Sequence, residues 1–233
     1  MNSSSNDTVF PLGVPIKFHT DGTVQRYAGN TIICHLPAHS CLHPALKNIH
    51  DAYKSHETLS KYVRLMPPSS WHVTIFDGVR EVECEPGMWP EGLKKDPLPQ
   101  ATATFSKILR ESGQELKAEG LAPPYKFRVC GFDPSQVGMG LAVEGATSSE
   151  EQRLRRLRDW LADQLGFRAP NHLRYGFHMT IAYLLLPISG EDKVALEKLQ
   201  EELLLQMPRD FNLGPLELCT FENMEAYHRL FYL

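Results

Sequence analysis

Five residues of this chain are written twice. Trp71-His72-Val73-Thr74-Ile75 returns, 106 residues later, as Phe177-His178-Met179-Thr180-Ile181. Both copies read aromatic, His, apolar, Thr, Ile, and both lie in short runs rich in β-branched and aromatic residues bounded by Ser, Gly and Asp, the pattern of a strand. On a strand, residues two apart share a face, so each His is expected beside its Thr. The core then takes Trp71, Val73 and Ile75 in one strand and Phe177, Met179 and Ile181 in the other. With ten histidines in 233 residues, one His-x-Thr arises by chance in roughly every second such chain, whereas two copies in matching strand contexts are expected in fewer than about one in a hundred. The pair therefore requires two similar strands, each showing one imidazole and one hydroxyl on its polar face.

Paired His-x-Thr motifs about a hundred residues apart identify the chain as resembling the two-histidine (2H) phosphoesterase superfamily. Gly29 to Pro37 resembles the first strand of that superfamily. Pro68-Ser69-Ser70-Trp71-His72 and Phe221-Glu222-Asn223-Met224 are similar to a poorly characterised branch of it. The resemblance implies an α+β fold of two pseudo-symmetric lobes, each with an antiparallel sheet and helices, around a central cleft lined by both motifs. It implies a single bilobal domain over 29–233, before which residues 1–28, with Pro11, Pro15 and Asp21-Gly22 as turn signals, read as a flexible lead-in.

The chemistry implied is metal-independent hydrolysis of a 2′,3′-cyclic phosphate or a related nucleotide or RNA-end phosphodiester, with no cofactor. His72 and His178 would divide the work of base and acid, each worth on the order of 10²–10⁴-fold. Thr74 and Thr180 would donate to the phosphate oxygens. Phe76 has the parity of the His72 face and is a candidate to stack a base; Tyr175, just before the second strand, is a candidate to reach the base or the phosphate. Tyr183 has the parity of the core unless a bulge intervenes.

Two other readings follow from the residues. A nucleotide- or RNA-end-binding module would keep the pocket without turnover. A metal hydrolase would use His35, His39 and His43, whose four-residue spacing suits one helix face, although Pro37 and Pro44 interrupt such a helix.

A net charge of −4 excludes a broad nucleic-acid-coating surface and favours a small nucleotide or RNA 3′ end as substrate over a long RNA. Five cysteines without CxxC spacing suggest free thiols in a reducing compartment. With no apolar run of the roughly 20 residues a membrane span needs, a cytoplasmic protein without membrane contact is expected; no protein partner is inferred.

Along the chain, the pattern predicts a strand at 31–36 and a helix from 44 to 55. The first motif strand and a Pro/Gly-rich loop over 81–100 follow, the loop being either a lid on the cleft or a plain surface insertion. A helix at 101–119, a strand pair at 125–132 and 137–143 around Asp133-Pro134-Ser135, and a helix opening on a capping box at Ser149 and running to Gly166 come next. Arg153, Arg155, Arg156 and Arg158 on that helix are expected to form a solvated face paired with its acids, in preference to an RNA-facing patch. The second motif strand, a helix at 192–206 and strands near 216–221 and 227–232 complete the chain.

Overall fold

Alternation of apolar and polar residues becomes antiparallel sheet throughout the chain. The computed structural model describes residues 10–84, 96–133 and 138–233. β1 (Gly29–His35), β3 (His72–Arg80), β8 (Glu217–Phe221) and β9 (His228–Tyr232) form one sheet in the order β3-β1-β8-β9. β2 (Val63–Leu65), β4 (Tyr125–Phe132), β5 (Gly138–Gly145), β6 (Phe177–Leu184) and β7 (Asp210–Leu213) form the other, in the order β2-β6-β5-β4-β7. The two sheets meet where β3 packs beside β6, so the motif strands face one another across the join. The chain's last two strands return to the first sheet, and β2 crosses into the second.

Each motif strand buries the side chains expected of it. Trp71, Val73 and Ile75 are fully buried, as are Met179 and Ile181, with Phe177 at 2% exposure. They belong to one cluster that runs through both sheets and takes in Leu46, Ile49 and Tyr53 of α1 (Leu42–Ser55), Phe105 and Leu109 of α2 (Leu98–Ser112) and Leu154, Leu157 and Leu161 of α4 (Ser148–Leu165). α5 (Gly190–Leu204) packs on α1.

Several boundaries move for local reasons. α1 starts two residues earlier than expected, because Pro44 falls in its first turn, where no backbone N–H is needed. The helix expected over 101–119 ends at Ser112 and resumes briefly as α3 (Glu115–Ala118). Thr147, not Ser149, caps α4: its hydroxyl accepts from the Glu150 amide, and Gly166 closes the helix in a left-handed conformation at φ 77°. The strands β2 and β7 are too short to show alternation and were absent from the expected pattern.

The expected turn at Pro134-Ser135 and most of the expected 81–100 loop, residues 85–95, lie outside the described residues. Part of the lead-in packs on the domain. Phe18 is fully buried, 5.1 Å from the Tyr183 ring, in a small second core with Val14, Met66, Leu185, Phe221 and Met224. None of the described helices is long and apolar enough to cross a membrane.

Candidate active site

The two motif histidines are held in the same way. The Nδ1 of His72 lies 2.6 Å from the Ser70 carbonyl oxygen, and the Nδ1 of His178 lies 3.0 Å from that of Gly176; each acceptor is two residues earlier in the chain. A carbonyl only accepts, so Nδ1 carries the hydrogen and Nε2 is the variable position. Short 3₁₀ turns at Pro68–Ser70 and His172–Arg174 lead into the two strands; Ser70 ends the first, and Gly176 follows two residues after the second. Among the described residues neither Nε2 has a hydrogen-bond partner.

The hydroxyls are matched too. Thr74 is within weak hydrogen-bonding reach of Tyr175, and Thr180 of Tyr183. In each lobe a partly exposed His-Thr pair is thus backed by a tyrosine, and the tyrosine behind Thr74 comes from the other motif.

A bulge follows each threonine. On β3, Thr74 pairs with Ile33 and Phe76 with Ile32, which leaves Ile75 as an extra residue. On β6, Thr180 pairs with Gly140 and Ala182 with Met139, which leaves Ile181 extra. A bulge re-aims the side chains beyond it. Asp77 and Tyr183 therefore come onto the histidine side and line a common cavity.

Phe76, expected on that side as a base-stacking residue, is instead buried at 1% exposure against Phe167 and His172. Strand parity fails there because one residue has been added. Tyr175 is also buried, at 5%, with its ring 6.2 Å from His178. It stands behind the cleft.

Arg158 corrects the expectation of a solvated arginine face. Arg153 and Arg155 do pair with Glu150 and Glu151, and Arg156 donates to the Glu119 carbonyl. Arg158 is 1% exposed and turns inward. Its Nη1 donates to the carbonyl of Ile75, the bulged residue, and its guanidinium lies 3.9 Å from the Tyr175 ring centre. Burial lowers its pKa and raises that of Asp77; the charges of Asp77 and Arg158 each oppose the other's shift.

Two concavities share the residue packed on His72, Tyr227. A cavity of about 660 Å³ contains Lys17, Asp77, Tyr183 and Tyr227 in its wall. A second hollow of about 860 Å³ opens on the side of His35, Glu217 and Arg229. Neither wall includes a motif histidine, but Tyr227 belongs to both and its ring centre is 4.2 Å from that of His72. Burial, helped by charge on His35 and His178, pushes the His72 imidazole down to about 3.

His35, His39 and His43 do not assemble. His35 ends β1 opposite His72, with Nδ1 2.8 Å from Glu217. His39 is exposed in a turn, and His43 lies against Trp71 at 5.2 Å. The donors that converge with His35 are Glu217 and Cys219, within 4.8 Å of one another. Glu217 is already engaged by His35 and by Arg229 at 3.3 Å, and burial with the Glu217 charge pushes the Cys219 thiol up to about 12.

Neither parity nor motif marks Asp77 or Lys17 as cavity residues, and nothing in the spacing of the helix arginines sets Arg158 apart from its neighbours. Tyr183 was recoverable only by supposing the bulge that the structure contains.

Residues 17–138 match the family model 2H-phosphodiest, described as a domain of unknown function, DUF1868. The matched segment includes His72 and Thr74; His178 and Thr180 lie beyond it. No curated protein matches the chain. A conserved protein of unknown function from Agrobacterium tumefaciens, known by crystal structure, is 25% identical with a TM-score of 0.80, covering 99% of this chain and 96% of its own. LigT of E. coli, crystallised with ATP, is 10% identical with a TM-score of 0.49, covering 90% of this chain and 98% of its own. Since the family match spans just over half of the 233 residues, this chain belongs to the 2H-phosphodiesterase family.

Proposed function

We propose that the protein is a phosphodiesterase that opens a nucleoside 2′,3′-cyclic phosphate by two-histidine acid–base catalysis. The observation that carries this reading is the matched pair of Nδ1–carbonyl bonds, which leaves each Nε2 for proton transfer on a face shared with a threonine. His72, held neutral by its surroundings, is the base: its Nε2 takes a proton from the attacking water. His178 is the acid: its Nε2–H protonates the ribose oxygen as the bond from that oxygen to phosphorus breaks. Thr74 and Thr180 turn their hydroxyls to the non-bridging oxygens and stabilise the charge of the pentacoordinate transition state. The product is a nucleoside monophosphate. Both proton transfers run through imidazoles, so the scheme calls for no metal.

The test is release of nucleoside monophosphate from a panel of nucleoside 2′,3′-cyclic phosphates and 2′,5′-linked dinucleotides in EDTA. Wild type is run beside His72→Ala and His178→Ala. Turnover that persists in EDTA and collapses in both variants is expected, and the product isomer identifies the leaving oxygen. Nucleotide binding without turnover on any substrate would replace catalysis by a binding role. Turnover that EDTA removes and both variants keep would overturn the scheme.

A further inference from the structure

Lys17 has no place in that chemistry, yet it occupies a prominent position in the cavity beside it. The segment before β1 folds back so that Phe18 enters the small second core, and its neighbour Lys17 projects into the 660 Å³ cavity. The ammonium is 3.5 Å from the Tyr183 hydroxyl, 4.8 Å from the Tyr183 ring centre and 5.3 Å from that of Tyr27. Among the described residues no carboxylate forms an ion pair with it. Asp77, the other residue brought in by a bulge, acts on it only through its charge, against that of Arg80. A half-buried cation held between tyrosine faces without a carboxylate partner is costly to keep charged, and burial brings Lys17 down to about 8. An anionic ligand group supplies what the site lacks.

We propose that Lys17 forms an anion subsite for a second phosphate of the substrate, so that the preferred substrate is a small nucleotide carrying a phosphate monoester in addition to the scissile cyclic phosphate. The inference rests on the proposed function, which puts the scissile phosphate at His72, Thr74, His178 and Thr180. Tyr183 links the two positions: its hydroxyl is within weak reach of Thr180 on one side and 3.5 Å from Lys17 on the other. The second phosphate therefore lies one side chain away from the first. The cavity falls within the range of about 300–1,000 Å³ usual for small-molecule sites. Tyr27, Phe167, Phe221 and Tyr227 give it aromatic walls suited to a base, and Asn171 offers an amide. A continuing RNA strand would bring a phosphodiester and a further nucleotide, for which an enclosed lysine and a cavity of this size are a poor match.

Equilibrium binding measured by calorimetry tests the subsite independently of turnover. The probes are the 2′- and 3′-monophosphates of adenosine and uridine, compared with the corresponding 2′,5′- and 3′,5′-bisphosphates. For wild type the 5′-phosphate is expected to tighten binding by about tenfold or more, the effect of a charge-assisted contact. In Lys17→Met the gain should shrink to less than about twofold, and Lys17→Arg should retain most of it. A Lys17 that merely orients Tyr183 would weaken mono- and bisphosphates alike and leave their ratio unchanged, which overturns the proposal. So would equal affinity of the two classes for wild type, or failure of every probe to bind. If the bisphosphate gain is present and depends on Lys17 but no cyclic phosphate is cleaved, the catalytic reading fails and the subsite stands. If cyclic phosphates are cleaved without any 5′-phosphate gain, the subsite alone fails.

Discussion

Asp77 and Tyr183 occupy the same place in the two motif strands. Each is the third residue after its threonine, and each reaches the cavity because the isoleucine between is bulged out of the ladder. The two lobes thus repeat more than the five residues visible in the sequence: they repeat a backbone irregularity, and then put a carboxylate at one copy and a phenol at the other. Bulges of this kind commonly adjoin active sites because they re-aim a side chain while the strand stays anchored. The histidines need the regular part of the strand, and the cavity wall needs the bulge.

Tyr183→Phe isolates the phenol. The ring stays packed 5.1 Å from Phe18, and only the hydroxyl near Thr180 and Lys17 is lost. Stability should change by less than about 1 kcal/mol, while kcat/KM on a cyclic nucleotide should fall about five- to tenfold, the worth of one hydrogen bond. Steady-state kinetics with a urea titration checks both, and unchanged kcat/KM would remove Tyr183 from the site.

His72→Ala and His178→Ala should each lower kcat by on the order of 10²–10⁴-fold with the fold intact. Because the two imidazoles act in one step, the double variant should fall well short of the product of the single losses. Single-turnover rates decide this. Multiplicative effects would mean that the histidines act independently.

The framework was legible because it rests on alternation and repetition. Trp71, Val73, Phe177 and Met179 point where their parity puts them, and the His-Thr pairs share a face because two residues separate them. What failed was whatever depended on counting past a defect. Phe76 and Tyr183 exchanged faces because one residue was inserted before each, and no residue type in Thr-Ile-Phe or Thr-Ile-Ala announces a bulge. The acids interleaved with the four arginines of that helix, Glu150, Glu151 and Asp159, give Arg158 the same solvated signature as its neighbours; its inward turn is dictated by the Ile75 carbonyl, a partner 83 residues away. The packing of Lys17 and Phe18 depends equally on contacts distant in sequence.

Phe76→Leu distinguishes the buried position from the base-stacking role expected from parity. Losing part of a ring packed between Phe167 and His172 should cost about 1–3 kcal/mol of stability. KM for cyclic nucleotides should remain within about twofold, since Phe76 is not in the cavity wall. Denaturation midpoints and KM values check this, and a large rise in KM at unchanged stability would restore the stacking role.

Arg158→Met tests the support beneath the bulge. The guanidinium gives the Ile75 carbonyl a donor and stacks on Tyr175, so its loss leaves a buried acceptor unsatisfied. The arginine also buries two donors, Nε and Nη2, that have no partner among the described residues, and their removal offsets part of that cost. A net loss of about 1–3 kcal/mol is expected. Activity should drop too, because Thr74 precedes the bulge and Tyr175 is its neighbour. A variant as stable and as active as wild type in urea titration and kinetics would show that the bulge holds without the arginine.

The depressed His72 carries two expectations about pH. As the base it must be neutral, and with a folded-state pKa of about 3 it is neutral over the whole ordinary range. The acid limb of kcat/KM, which reports the free enzyme, should therefore lie well below the usual histidine value of about 6.5. For stability the sign follows from linkage. Between about 3 and 6.5 the unfolded chain binds a proton at this histidine that the folded chain refuses, so His72 favours folding fully above pH 6.5 and progressively less as the pH falls. Urea midpoints at about pH 7.5 and about pH 5 should thus differ more for wild type than for His72→Gln, which has no proton to take up. An acid limb near 6.5, together with equal pH sensitivity of the two proteins, would mean that His72 titrates as an ordinary solvated imidazole. The assignment of His72 as base and His178 as acid would then lose its support.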